Sequence, residues 1–322
     1  MPELIRFLKV RKNALAAKRD GCIDLSIFLP SVPEQDLKIP PNKIMASASQ
    51  LMKFSDFGDF KRSGRIAVVL HLHYVDLWPE LRDKILNISE PFDLFVSLHD
   101  NSTAEDTSAP IYEDFPFARV LKFENRGRDV LPFVAMVNAG LLRGYEVVCK
   151  IHTKKSLRSP ADGNDWRRAL VGGILGTQTL VRDILDAYDL NRHLGLVAAD
   201  GQLFGSRLNH WAWNLQKLAQ LGQRIGITTI PDEARFVGGT MFWIRASLLQ
   251  RIEALNLTSD DFETEPIGVD GTMAHAVERM FGLVAYDAGM QVCESSALNM
   301  NVGQPASRLQ TEARPDDEAS PY

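Results

Sequence analysis

Two short segments carry the densest chemistry in the chain. Asn125-Arg126-Gly127-Arg128-Asp129 follows the run ARVLKF, and His152-Thr153-Lys154-Lys155 follows YEVVCKI. Arg126, Arg128, Lys154 and Lys155 thus stand directly after two apolar runs, with Asn125, Asp129 and His152 as polar companions. A polyanion such as a diphosphate is the simplest ligand for that set. Arginine offers forked hydrogen bonds to phosphate oxygens, and lysine a point charge. Solvated loop charges are the plain alternative.

Histidines make a second group. His71 and His73 are two residues apart and share one face if their segment is a strand. His99 and His152 close two further apolar runs. Neutral imidazoles can ligate a metal, but no carboxylate-rich cluster accompanies them, and Mg²⁺ or Mn²⁺ prefers oxygen. They are therefore read as hydrogen-bonding residues lining a polar pocket. Gly238, Gly239 and Thr240, before the apolar run MFWIRA, join that pocket, because glycine lets backbone approach a ligand closely. Asp270, in GVDGTMAHAVERMFG, stands where a helix is expected to begin. It can cap that helix, worth about 1 kcal/mol, or act as a general base toward a hydroxyl. The two roles are compatible.

These residues need a scaffold that brings the ends of several apolar runs together. RIAVVLHLHY, FDLFVSLH, ARVLKF and YEVVCKI read as strands, and helical patterns over about 78–88 and 130–142 fall between them. Alternation without hairpin signals predicts a mostly parallel α/β sheet with helices on both faces. Ligands then bind beyond the carboxyl ends of the strands. Further helices are expected over about 166–188, 209–221 and 270–281. Further strands are expected at GLVAAD, RFVGGTMFWIRA and, last, LVAYDAGM. Residues 1 to about 25 read as a short basic helix bearing Arg6, Lys9, Arg11, Lys12, Lys18 and Arg19, followed by a proline-rich connector and a helix over about 42–54. The expected division is an N-terminal helical extension over 1–64, a catalytic domain over 65–295, and an acidic, disordered tail over 296–322.

Composition narrows the function. The 322 residues are 45% hydrophobic and 24% charged, as in an ordinary globular enzyme. A formal charge of -5 argues against general nucleic-acid binding. The three cysteines lie far apart, without metal-ligand or disulfide spacing. No segment reads as a signal peptide or as a membrane span. The expected location is the cytoplasm, with the N-terminal basic helix as a candidate contact for the inner face of the plasma membrane.

Taken in order over about 65–290, HLHYVDLWPEL, ENRGRDVLPF, KIHTKKS, RFVGGTMFWIRA and GVDGTMAHAVERMFG resemble the rhamnan synthesis protein F family of bacterial polysaccharide biosynthesis. NRGRD together with KIHTKK is the most specific pair. The resemblance implies a rhamnosyltransferase with a dTDP-rhamnose donor and a glycan acceptor, often lipid-linked, in making cell-surface polysaccharides such as O-antigen. A wider resemblance runs to GT-A glycosyltransferases. FVSLHDNSTAED is similar to their second-strand turn, which makes Asp100 the candidate contact for the nucleotide base. Their fourth strand ends in an acidic metal-binding motif, and here KIHTKKS takes that place. The departure favours a metal-independent enzyme in which lysines neutralise the leaving diphosphate, with a divalent cation as the alternative. Asp270 falls where those enzymes carry the catalytic base of an inverting displacement. A non-catalytic glycan-binding or scaffold protein derived from a transferase is the rival reading.

Overall fold

The computed structural model describes residues 10, 12–29, 61–99, 108–155 and 160–300. In chain order the strands are β1 (Lys18–Arg19), β2 (Cys22–Asp24), β3 (Ile66–His71), β4 (Phe92–His99), β5 (Arg119–Phe123), β6 (Val147–His152), β7 (Leu194–Ala198), β8 (Leu203–Phe204), β9 (Thr229–Pro231), β10 (Phe236–Val237), β11 (Phe242–Arg245) and β12 (Gln291–Glu294). The helices that matter below are α1 (Trp78–Ile85), α2 (Val130–Asn138), α3 (Pro160–Leu175), α4 (Gln178–Leu190), α5 (Leu215–Ile225) and α6 (Met273–Asp287).

Seven strands form one sheet in the order β12-β7-β11-β6-β3-β4-β5. β11 runs antiparallel to β6 and β7, and the other pairings in this sheet are parallel. The α/β class with a mostly parallel sheet is what the sequence predicts. The two-residue period of a strand explains how both faces are buried. On β3, Ile66, Val68 and Leu70 enter one core with α1, α3 and α4, whereas Ala67 and Val69 enter the other with α2, α5 and α6.

Several sequence expectations need correction. The N-terminal helical stretch, described over 12–17, does not continue to residue 25. Asp20 and Gly21 both take positive φ (47° and 78°), turning the chain into an antiparallel hairpin of β1 and β2. Asp-Gly is a favoured pair for such a turn. β2 pairs in turn with β9, so this part of the extension belongs to a small three-stranded sheet. The helix expected over 166–188 divides into α3 and α4, because Thr177 caps a new start by accepting from the Leu180 N–H at 3.1 Å. LVAYDAGM is not a strand. Leu283 to Asp287 complete α6, which is buried nearly all round, so apolar content there carried no strand information. The last strand is β12 instead. The expected helix over 42–54 and the residues beyond 300 lie outside the described residues.

Candidate functional site

Strand alternation lines up one polar stripe. Along β6, Val148 faces the α2–α6 core, and Lys150 and His152 follow on that same face. His71 continues the face of Ala67 and Val69 on β3, and Ser97 and His99 that of Phe95 on β4. Parallel register sets His71 beside both His152 and Ser97. The carboxyl ends of β4, β3 and β6 therefore carry polar groups over an otherwise apolar layer.

Lys150 is the deepest of them, 1% exposed, and sequence reading overlooked it. A lysine inside the run VVCKI was the available signal, since a buried ammonium demands a partner. Its Nζ donates to Asp129 Oδ2 at 2.5 Å and to the Thr240 carbonyl at 2.9 Å. Thr240 Oγ1 donates to the same Asp129 oxygen at 2.5 Å. Burial would raise the Asp129 carboxyl, but the charges of His152 and Lys150 and the hydrogen bonds of Lys150 and Thr240 hold it far below the usual carboxylate range. Asp129 is thus committed to the protein's own lysine and threonine, not free to meet a ligand as expected.

The Gly238-Gly239-Thr240 turn builds the wall beside this pair. Gly239 and Thr240 take φ of +82° and +51°. For a β-branched residue this is a strained conformation, and such strain persists where surrounding contacts over-determine it. Here they do, because Thr240 binds Asp129 and Lys150 at once. The Gly239 N–H donates to Glu278 Oε1 at 2.8 Å, and its carbonyl accepts from His152 Nε2 at 2.7 Å. A Cβ at Gly238 would strike the Phe204 ring at 2.5 Å. The glycines therefore serve close packing and polar anchoring of the turn. Burial pushes the Glu278 carboxyl up against the opposing pull of Arg279, the Gly239 N–H and Lys154, and it pushes the His152 ring down. Glu278, which the sequence does not single out, thus anchors the turn from α6.

Two of the four cations, Arg126 and Lys155, are already engaged by the protein's own groups. β5 lies at the sheet edge, separated from β6 by β4 and β3, so consecutive strand ends are not neighbours. Arg126 Nε donates to the Phe262 carbonyl at 2.8 Å and pins the 262–265 segment. Lys155 is ion-paired with Asp76 at 2.6 Å and lies 4.8 Å from the Tyr74 ring centre. Lys154 and Arg128 are brought together electrostatically with Glu278 and Asp129. The Lys154 ammonium sits 3.4 Å from the centre of the Trp166 ring, and Arg167 holds its backbone carbonyl at 3.0 Å. Burial pulls Lys154 down to about 8, partly opposed by Glu278 and Asp129 and reinforced by Arg128. Among the described residues Lys154 enters no ion pair. Arg128 is 44% exposed and donates to the Gly268 carbonyl at 3.2 Å. Asn125 is exposed at the turn after β5, and Asp100 lies outside the described residues.

Asp270 precedes the helix by three residues, and Thr272 takes the cap position of α6. The expected capping role is therefore corrected. Its Oδ1 accepts from Asn214 Nδ2 at 2.9 Å and from the Gly271 N–H at 2.7 Å, whereas among the described residues Oδ2 meets only Arg279 Nη2, at 3.4 Å. One oxygen is anchored and the other loosely held, as a proton acceptor requires. Burial lowers nearby His275 to about 4, against the pull of Asp270.

At the β3–β4 end, His71 Nδ1 lies 2.9 Å from Ser97 Oγ, and His73 Nδ1 faces His99 Nε2 in a short contact. Burial lowers His71 to about 3 and His99 to about 4, and it lowers His73 as well. At the β6 end, His152 to Lys155 supply no carboxylate and Asp129 is already engaged. These residues do not fit a hard divalent cation. Trp211 and Trp243 are core residues, 2% and 0% exposed, and offer no face to a ligand.

Comparison with known proteins agrees with the motif reading. The family model described as rhamnan synthesis protein F matches residues 37–290. Two Xanthomonas campestris pv. campestris proteins, both called uncharacterized protein WxcX, from strains B100 and ATCC 33913, are each 32% identical over 262 residues. The match covers 81% of this chain and 37% of theirs, so the chain spans little more than a third of those relatives. Among solved structures, S. aureus TarS 1-349 aligns at 11% identity over 71% of this chain and 57% of that one, with a TM-score of 0.37. CMP:2-keto-3-deoxy-manno-octonic acid synthetase aligns at 10% identity over 72% of this chain and 89% of that one, with a TM-score of 0.32. Scores this low add nothing to the strand order, on which the fold class stands.

Proposed function

The chain belongs to the rhamnan synthesis protein F family, and on that premise we propose that it is a metal-independent, inverting glycosyltransferase of bacterial polysaccharide biosynthesis. Its donor is a nucleotide sugar, dTDP-rhamnose in the fullest form of the proposal, and its acceptor a cell-surface glycan or its lipid-linked precursor. One observation carries the reading. Lys154 is a largely buried cation without an ion-pair partner among the described residues, held by Trp166 and Arg167 at a strand's carboxyl end. Burying a charge is costly unless a counter-charge arrives, and a diphosphate would supply one.

Asp270 Oδ2 takes the proton of the acceptor hydroxyl as its oxygen attacks the anomeric carbon. The bond from that carbon to the diphosphate oxygen breaks, and the charge released is received by Lys154, with Arg128 beside it. Lys150 and Asp129 act one layer below, positioning the Gly239–Thr240 turn through Thr240. The reaction takes place in the cytoplasm, with the basic N-terminus touching the inner membrane face. Residues 1–9 of that segment lie outside the described residues, and no described helix is long and apolar enough to cross a membrane.

Thermal unfolding with a panel of nucleotide sugars tests the proposal. A stabilising shift with dTDP-rhamnose that persists in chelator and vanishes in Lys154→Ala is expected. A flat panel would remove the donor site. The rival non-catalytic role draws on the absent acidic motif. It would be favoured if the donor binds but no nucleotide is released, with or without glycan acceptor.

A further inference from the structure

We propose that His71, His73 and His99 form a site for a zinc-class transition-metal ion at the mouth of the sheet, one that needs no nucleotide sugar. One ring nitrogen of each lies within 4.8 Å of the other two. Three imidazoles with a fourth position open to solvent or substrate is an established coordination pattern for zinc, whose Zn–N bonds of about 2.0–2.1 Å require only modest convergence of these rings.

The three residues are held rather than merely near one another. His71 and His99 stand on adjacent parallel strands, with register fixed by the His71–Ser97 pairing. The backbone N–H groups of His73 and Tyr74 both donate to Thr153 Oγ1, at 2.8 and 3.0 Å, and the Thr153 N–H donates to the His71 carbonyl at 3.0 Å. The segment bearing His73 is thereby clamped to the end of β6.

The hydrogen bonds also sort the ring nitrogens. Ser97 Oγ engages His71 Nδ1 and leaves Nε2 as that ring's available lone pair. Metal-bound histidines commonly use their second nitrogen in this way, which fixes ring orientation. His73 Nδ1 and His99 Nε2 face each other, a pairing that chemistry permits only through a shared proton or a shared cation. His99 Nδ1 is buried and has no hydrogen-bond partner among the described residues. No described carboxylate belongs to the cluster, so the donor set is all nitrogen and selects zinc, cobalt, nickel or copper over magnesium or calcium. Exposure falls from His73, which faces solvent, through His99 to buried His71, giving the ion a path of entry.

This set is separate from Lys154 and Asp270, so failure of the metal proposal leaves the donor reading intact, and the converse holds. The test uses the full chain, freed of metal by chelation and dialysis, with Co²⁺ as the spectroscopic probe and Zn²⁺ by calorimetry. One equivalent of Co²⁺ should give the intense visible absorption of a four-coordinate nitrogen site, and one equivalent of Zn²⁺ should abolish it. His73→Ala, at an exposed position, should remove the band without shifting the thermal midpoint of the metal-free chain, and His99→Ala should remove it too. Ser97→Ala should weaken Zn²⁺ binding about tenfold, as loss of an outer-shell partner does. Absence of any band or heat at one equivalent would overturn the site. So would stoichiometric binding unchanged in His73→Ala, or a preference for Mn²⁺ over Zn²⁺.

Discussion

The two ends of the polar stripe share a face and a scaffold, yet they hold opposite kinds of chemistry. Where β3 and β4 end, burial outweighs the pull of the Asp129 charge on His71. His71 and His99 are pushed down to about 3 and 4 and remain neutral. Where β6 ends, Lys150, 1% exposed, and the partly exposed Asp129 supply each other's counter-charge, and the Asp129 carboxyl is held far below the usual carboxylate range. Lys154 lies between these cases, buried and facing charges it does not touch, with its proton held only to about 8. Depth alone thus does not fix protonation. Pairing does.

Breaking the charged pair should have the largest effect. Lys150→Met leaves the Asp129 carboxylate buried without its cation and should cost about 3–5 kcal/mol of stability, read from denaturant midpoints. Lys150→Met combined with Asp129→Leu should regain most of that loss. At the neutral end His99→Gln should shift the same midpoint by less than about 1 kcal/mol, because no charge is orphaned there. An equal loss at both ends would erase the distinction.

Next comes Asp270→Asn, which keeps the shape of the side chain and removes the proton acceptor. Turnover should fall at least about a hundredfold with an unchanged unfolding midpoint. An active variant would move the base elsewhere. Lys154→Ala should lower turnover about a hundredfold, near 3 kcal/mol in barrier. Lys155→Ala, which removes the pair with Asp76 and the contact with the Tyr74 ring, should leave turnover within about twofold, since exposed ion pairs contribute little. A further effect is one of pH. Lys154 is charged below about 8 and loses its proton above it. Affinity for a nucleoside diphosphate should therefore hold to neutrality and weaken about tenfold by pH 9, and the slope should be missing in Lys154→Ala.

What the sequence reveals follows the range of the interactions involved. The β3–β6 strands, α1 and α2 were legible from local periodicity, and so was the principle that polar residues collect at carboxyl ends. The sheet order was not: β5 lies at the far edge, and it is the loop after it that carries Arg128 and Asp129 back to Lys154 and Lys150. Lys155 and Asp129 found partners, Asp76 and Lys150, that no spacing rule connects to them. Asp20-Gly21 carried a hairpin signal, but the basic run around it read as helix, and the strand that completes that sheet is far away in sequence. LVAYDAGM failed for the opposite reason, since an evenly apolar stretch gives no period to measure.

That distant pairing bears on how the chain comes into being. Ile23 meets Ile230, about 200 residues later. Ribosomes add about 5–20 residues per second, so the edge of the β1–β2 ribbon emerges about ten to forty seconds ahead of its mate. Throughout that interval an uncovered strand edge is available to chaperones or to neighbouring nascent chains. The slowest and most aggregation-sensitive moment in the protein's birth should therefore fall at its small N-terminal sheet, and not at the seven-stranded one.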